Sequence, residues 1–204
     1  MHYVFVKGDA VMRARVTNET IKKITLIGLL TALATVFSYI KIPIVSSVTV
    51  TLVLPIVVIG AALFGPLVGA WLTVIPAINA FSEAGLFLVY SPFGCILTLL
   101  IKGIAAGFAA GIIYKVLCKK HPKAAVNCAA VAAPIVNSGI FLLGCYVFIW
   151  EQIMVEAANA DIGIGMLIFF MVGMNFVIEL ILNIILCPTI LRIIKIAGKK
   201  KDKF

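Results

Sequence analysis

Charge and histidine are both scarce in this sequence. Only 12% of the 204 residues are charged, and His2 and His121 are its two histidines. The chain has no HExxH zinc motif, no Ser-His-Asp set and no GxxxxGK[ST] phosphate-binding loop. The sequence therefore predicts that the chain is not an enzyme, and that any ATP driving its function is bound by another chain.

Paired cysteines and a signal peptide are also missing. The five cysteines form no CxxC pair and lie in or beside apolar segments, which is typical of small packing residues and predicts no metal site. Residues 1–23 are polar and basic, without the apolar core that a cleavable signal peptide needs, and Met12 is an alternative start.

Apolar residues, in contrast, make up 63% of the chain, and the mean hydropathy is +1.20. A soluble domain is roughly half apolar and could not bury this much apolar surface. The apolar residues form six runs: 24–40, 48–64, 67–82, 93–117, 124–149 and 163–191. This pattern predicts an all-α integral membrane protein, a bundle of six transmembrane helices. The six-helix domain is expected at residues 24–191, between a basic segment (1–23) and a basic tail (192–204).

The second run differs from the others because it begins with VTVTLVL, which alternates like a β-strand. A strand edge that faced lipid would leave its backbone polar groups without partners. We therefore predict an extended loop that leads into a helix. Gly65-Pro66 is expected to end this helix in a tight turn.

Lysine and arginine are distributed unevenly along the chain. If the N-terminus is cytoplasmic, the basic clusters at both termini and between runs four and five are cytoplasmic, whereas Lys41 is the one basic residue of the outer loops. The positive-inside rule then predicts that both termini lie in the cytoplasm. Membrane topology also explains the formal net charge of +9, so no nucleic-acid partner is expected.

Two charged residues lie inside the apolar runs, Lys102 in run four and Glu179 in run six. An ionisable group inside a bilayer is costly, and it usually faces the interior of the bundle and pairs. Asn175 and Asn183 flank Glu179 at one helical turn on either side, which makes a polar face on this helix. Lys102, Asn175 and Asn137 of run five fall at similar depths, about 14–18 Å below the outer surface at about 1.5 Å per residue.

Two interpretations of these residues stay open. Lys102 and Glu179 can form a structural ion pair, or Lys102 can extend outward to the interface. Alternatively, the group lines a solute pocket that opens outward, where a lysine would suit a solute with a carboxylate.

Small residues recur four apart in two of the runs. Gly103, Gly107 and Gly111 form a stripe in run four, which favours close packing of helices within the bundle. Gly28 and Ala32 form a second pair in run one. This pair can serve either packing within the bundle or contact with a partner subunit.

Several stretches together resemble the substrate-binding S components of energy-coupling factor (ECF) vitamin transporters, and the resemblance covers about residues 20–197. They are GLLTALATVFSYI in run one, LPIVVIGAALFGPLVGAWLTVI at residues 54–75 and KGIAAGFAAGIIYK at residues 102–115. In the family, small residues of the first helix dock on a coupling subunit. The resemblance therefore implies that Gly28 and Ala32 form this interface, although the family commonly has alanine at the first of the two positions.

The resemblance also implies a division of labour. The chain would bind a vitamin-like solute at the outer face of a bacterial or archaeal cell membrane, without a cofactor of its own. A transmembrane coupling subunit and two ATPase subunits would complete import. Specificity would lie in the outer loops and the outer halves of helices four to six. The candidate solute-binding residues are Lys102, Asn137, Asn175, Asn79, Glu83, Tyr90 and Glu179. A stand-alone secondary transporter that uses Lys102 and Glu179 for ion coupling is the alternative function.

Overall fold

The computed structural model describes residues 2–40, 42–45, 48–50, 52–81 and 85–199, most of which are helical. In chain order the helices are α1 (His2–Tyr39), α2 (Val53–Phe64), α3 (Pro66–Leu72), α4 (Val74–Phe81), α5 (Leu86–Tyr90), α6 (Pro92–Leu117), α7 (Pro122–Asn159), α8 (Ile164–Ile168) and α9 (Met174–Lys199). A π-helical turn, Phe169–Gly173, joins α8 to α9. Two short strands, β1 (Ile42–Val45) and β2 (Val48–Val50), pair antiparallel between α1 and α2.

Four helical segments of the described chain are long and apolar enough to cross a membrane. They are Glu19–Tyr39 of α1, the whole of α6, the whole of α7, and Met174–Ile196 of α9. The apolar segments Val53–Phe64 and Pro66–Phe81 are shorter. The predicted helical, multi-pass membrane class is confirmed. Helices α1 and α9 run without a break through the domain boundaries predicted at residues 23 and 191.

The start of the second run is extended, as its alternation predicts, and its residues form β2 rather than a plain loop. Val50 pairs with Ile42 of β1, so backbone groups of the extended segment are hydrogen-bonded before α2 begins at Val53. The predicted turn after α2 is also confirmed. Gly65 has φ of 101°, which side chains disfavour, and Pro66 starts α3 at the position where proline is best tolerated.

The third apolar run is not one helix, because it is interrupted at Thr73, between α3 and α4. Pro76 lies in the first turn of α4 and has no N–H to donate, and its ring would clash with the carbonyl of Leu72 in a continuous helix. The Thr73 hydroxyl donates to the carbonyl of Ala70, at 2.6 Å, which satisfies a backbone acceptor at the break.

The glycine stripe of α6 packs inside the bundle, as predicted. A β-carbon on Gly107 would collide with the backbone of Gly69 in α3, and one on Gly111 would lie 2.5 Å from the Cα of Pro66. At Gly103 the neighbour is the Cβ of Thr73, at 3.1 Å. Glycines therefore let α6 approach the α3 backbone along its length.

Helix α7 connects the two ends of the bundle. Its first half is rich in buried alanines that pack against α2, α6 and α9. Near Ile149 it is kinked, since that residue has non-helical angles (φ −138°, ψ 20°). With 38 residues the helix is about 57 Å long, which exceeds the hydrocarbon core of about 30 Å. The kink coincides with the predicted end of run five, so the chain beyond Ile149 corresponds to the predicted outer segment.

Candidate functional site

Lys102, Asn137 and Asn175, predicted to share one depth, lie around Glu179 between α6, α7 and α9. Lys102 extends from α6, Asn137 from α7, and Asn175 and Glu179 from α9. Lys102 is close enough to Glu179 for a Coulomb interaction, and Asn137 also faces the Glu179 carboxylate. We call Lys102, Asn137, Asn175 and Glu179 the polar cluster.

Glu179 is the centre of the polar cluster. Its side chain is only 8% exposed, although a carboxylate is costly to bury. The Nδ2 of Asn175 donates to its Oε1 at 3.5 Å, a long hydrogen bond. Its other oxygen, Oε2, is buried and has no hydrogen-bond partner among the described residues. The carboxylate is therefore held in place but can accept further hydrogen bonds.

Lys102 places its ammonium over an aromatic ring of the neighbouring helix. The Nζ atom lies 4.5 Å from the centroid of the Phe141 ring, which is within the range of a cation–π interaction. Phe141 packs edge-on against Phe87 of α5, with 5.9 Å between the ring centroids. The lysine is thus in contact with α7 as well as within the field of Glu179.

The polar residues of α9 follow a local irregularity in the helix backbone. The π-helical turn Phe169–Gly173 immediately precedes α9, and π-helical turns inside helices are frequent at functional sites. Asn175, Glu179 and Asn183 then follow at four-residue intervals, and we call them the polar stripe. Asn183 is fully buried, and neither atom of its amide group has a hydrogen-bond partner among the described residues.

Two of the other candidate residues make contacts at the predicted outer end of the bundle. The Nδ2 of Asn79 in α4 donates to the Ser38 hydroxyl of α1 at 2.6 Å, so Asn79 joins two helices and is not in the polar cluster. The Tyr90 hydroxyl donates to Oε1 of Glu156 at 3.1 Å and connects α5 to the end of α7. Glu83 lies outside the described residues.

The pKa of Tyr90 is raised above its ordinary value of 10.0. Its hydroxyl donates to Glu156, which stabilises the neutral phenol, and the nearby carboxylate charge disfavours the phenolate. This contact lies at the C-terminal end of α7 and is separate from the polar cluster.

Sequence reasoning missed Phe141 and Ser38 as partners of the candidate residues. Phe141 lies four residues after Asn137, one helical turn along the same face of α7. This spacing could have predicted that Phe141 lies beside the polar cluster. Ser38 is 41 residues from Asn79, and no local pattern links them.

The predicted docking pair on α1 faces outward. Gly28 and Ala32 are both exposed, and a β-carbon on Gly28 would meet no atom within 4 Å in the described part of the chain. Large apolar side chains on the same helix, including Leu29 and Val36, are more than half exposed. Only 6% of the apolar window of this helix is buried, against 28–39% for the other three spans.

The described side chains contain no group of three or more His, Cys, Asp or Glu residues that could hold a metal ion.

Comparison with known proteins gives one clear result. The model of the family described as ECF transporter, substrate-specific component, matches residues 22–191, which include the polar cluster, all of α6 and α7 and most of the other two spans. No curated protein and no solved structure gives a significant match.

Proposed function

The chain belongs to the substrate-specific components of ECF transporters, and from that premise we propose that it is the high-affinity solute-binding subunit of an ECF-type ABC importer. Its solute would be a vitamin or a related micronutrient. The polar cluster is the observation that carries this proposal. Three helices of an apolar bundle converge on Glu179, whose Oε2 is free to bind among the described residues. Intramembrane ionisable groups usually mark a solute or ion pathway.

The energising part of the transporter would be supplied by other chains. We propose that a transmembrane coupling subunit docks on the α1 face around Gly28 and Ala32, and that two ATPase subunits hydrolyse ATP. The exposure of both residues supports this assignment. Steric fit between helices drives association in lipid, and a small-residue groove lined by exposed leucines provides such a fit.

The arrangement in the membrane follows from the charge distribution. We propose six membrane crossings, with α2 and the α3–α4 pair counted as the second and third, and with both termini on the cytoplasmic side of a bacterial or archaeal cell membrane. Three lysines lie in the connection between α6 and α7 or in the first turn of α7, and they support this orientation: Lys119, Lys120 and Lys123. The polar cluster would then be reached from the outer side.

Uptake into proteoliposomes tests the proposal against a stand-alone transporter. The tagged chain is purified from its native membranes, co-purifying proteins are identified by mass spectrometry, and yeast extract serves as the solute mixture. We expect an ATPase pair to co-purify, and expect solute to accumulate only when that complex is reconstituted with ATP. Accumulation by the chain alone, driven by an ion gradient, would replace the importer proposal with the secondary transporter that uses Lys102 and Glu179.

A further inference from the structure

The polar stripe of α9 contains more hydrogen-bond acceptors than its surroundings satisfy. Three buried oxygens have no hydrogen-bond partner among the described residues: Oδ1 of Asn175, Oε2 of Glu179 and Oδ1 of Asn183. We call these three atoms the open acceptors. The Nδ2 of Asn183 is the one donor group in the same condition within the described chain. Because buried polar groups are nearly always hydrogen-bonded, whatever occupies this site brings donors.

A metal ion does not fit the open acceptors. Residues 175 and 183 are eight positions apart, which is about 12 Å along a helix. Calcium needs about six to eight oxygens at roughly 2.3–2.6 Å, so oxygens spread over this length cannot surround one ion. The Lys102 ammonium, within the field of Glu179, would also repel a cation. The spacing suits an organic molecule that extends along the helix.

The charges around the stripe limit the net charge of that molecule. Lys102 and Glu179 are the two charged residues of the polar cluster, and their formal charges sum to zero. The lysine already interacts with the Glu179 carboxylate and with the Phe141 ring. A simple carboxylate would therefore gain one attractive neighbour and face the repulsion of Glu179. A solute without net charge avoids this repulsion and can still donate hydrogen bonds to all three open acceptors.

Resting on the proposed solute-binding function, we propose that the polar stripe recognises an elongated solute that has no net charge and carries at least three N–H or O–H donors. Asn175, Glu179 and Asn183 each accept one of these donors. The Asn183 amide adds a donor of its own, which an acceptor on the solute satisfies. Donor groups spaced along the molecule, rather than a single charged group, determine which solutes bind.

Mass spectrometry of captured molecules tests the inference. The full chain in lipid nanodiscs is incubated with water-soluble yeast extract and washed, and the molecules released on denaturation are identified. Spectra in D₂O count exchangeable hydrogens, and electrophoretic mobility at neutral pH gives net charge. The variants are Asn183→Leu, which removes an acceptor, and Glu179→Gln, which keeps the side-chain shape. Asn127→Leu, on the exposed side of α7, is the matched control.

We expect the wild type and the control to enrich a common species about tenfold over both stripe variants, as the loss of one hydrogen bond predicts. That species should have no net charge and at least three exchangeable hydrogens. An enriched anion with a single exchangeable hydrogen would overturn the inference and leave the solute-binding function standing. Equal enrichment by wild type and both stripe variants would place recognition elsewhere. It would also overturn the inference and leave the solute-binding function standing. If the wild type enriches nothing, both the inference and the proposed function fail.

Discussion

Gly69 of α3 and Gly107 of α6 are in direct backbone contact: a β-carbon on Gly69 would lie 2.5 Å from the carbonyl oxygen of Gly107. Real side chains essentially never approach a neighbour so closely, and backbone cannot move aside as a flexible side chain can. The approach of α3 to α6 therefore depends on the absence of side chains at both positions.

Gly69→Ala should lower the stability of the purified chain by about 1–3 kcal/mol, the usual cost of overpacking a well-packed interface. Thermal melting in detergent measures the effect. Gly28→Ala is the matched control, because its β-carbon would meet nothing within 4 Å in the described structure. The control should melt at or slightly above the wild-type temperature, since alanine favours the helix. A Gly69→Ala protein that melts like the control would show that the α3–α6 contact is loose.

Features with a local cause could be predicted from the sequence. The helical membrane class, the Gly65-Pro66 turn and the packing role of the α6 glycines all follow from composition and spacing, and the structure agrees with each. The break at Thr73 was not predicted, although a proline at position 76 disfavours a continuous helix through this segment. Depth predicted that Lys102, Asn137 and Asn175 would meet, because the rise per residue is fixed in a helix, whereas Glu179 was expected to lie deeper.

Features that depend on how distant segments meet could not be predicted. The hydrogen bond between Asn79 and Ser38 joins residues 41 positions apart, so no local pattern showed that Asn79 connects two helices. Likewise, the contact between Lys102 and Phe141 could not be predicted, because the rotation of each helix about its axis decides which side chains face each other.

Asn183→Leu should raise the melting temperature of the solute-free chain. Leucine has the same branched arrangement of side-chain heavy atoms, and it removes a fully buried amide that has no hydrogen-bond partner among the described residues. An unsatisfied buried group costs about 1–3 kcal/mol, so an apolar replacement recovers much of this free energy. Melting in detergent without solute measures the change.

Asn79→Leu provides the contrasting variant, because Asn79 donates a 2.6 Å hydrogen bond to Ser38. Its loss should destabilise the chain by about 0.5–1.5 kcal/mol. If Asn183→Leu destabilises the chain as much as Asn79→Leu does, the Asn183 amide is satisfied in the native protein and the polar stripe is structural.

The Tyr90–Glu156 contact should be visible in an alkaline titration. Because Glu156 raises the pKa of Tyr90, the fold favours the neutral phenol. Its contribution to stability is complete below pH 10.0, the ordinary pKa, and is lost as the pH rises through the higher pKa of the folded state. Subtracting the tyrosinate absorbance of Tyr90→Phe from that of the wild type isolates this residue. Glu156→Gln should move the difference curve to lower pH, and an unmoved curve would mean that the two side chains are apart.

The orientation in the membrane can be tested with single cysteines in a cysteine-free background. Ala158, near the end of α7, and His121, between α6 and α7, are both exposed at opposite ends of the same helix. A membrane-impermeant thiol reagent added to intact cells should label a cysteine at position 158 and spare one at position 121. Labelling of both after cell lysis is the control. The reverse pattern in intact cells would invert the proposed topology.

Variants at the exposed groove on α1 can show whether its small residues serve partner docking or folding of the bundle. Gly28→Leu would fill a space that no atom occupies within 4 Å in the described structure, so it should not disturb the bundle. If a coupling subunit packs there, the leucine would hold its helix away, because close approach depends on small residues. We expect solute capture by the isolated chain to stay at the wild-type level, and co-purification of the ATPase pair to fall at least tenfold.

Ala32→Leu, one turn along the same face, should act in the same way. Leu29→Ala, beside the groove but without added bulk, is the control and should assemble normally. Assembly and uptake that survive in both bulky variants would move the partner interface to another face of the molecule.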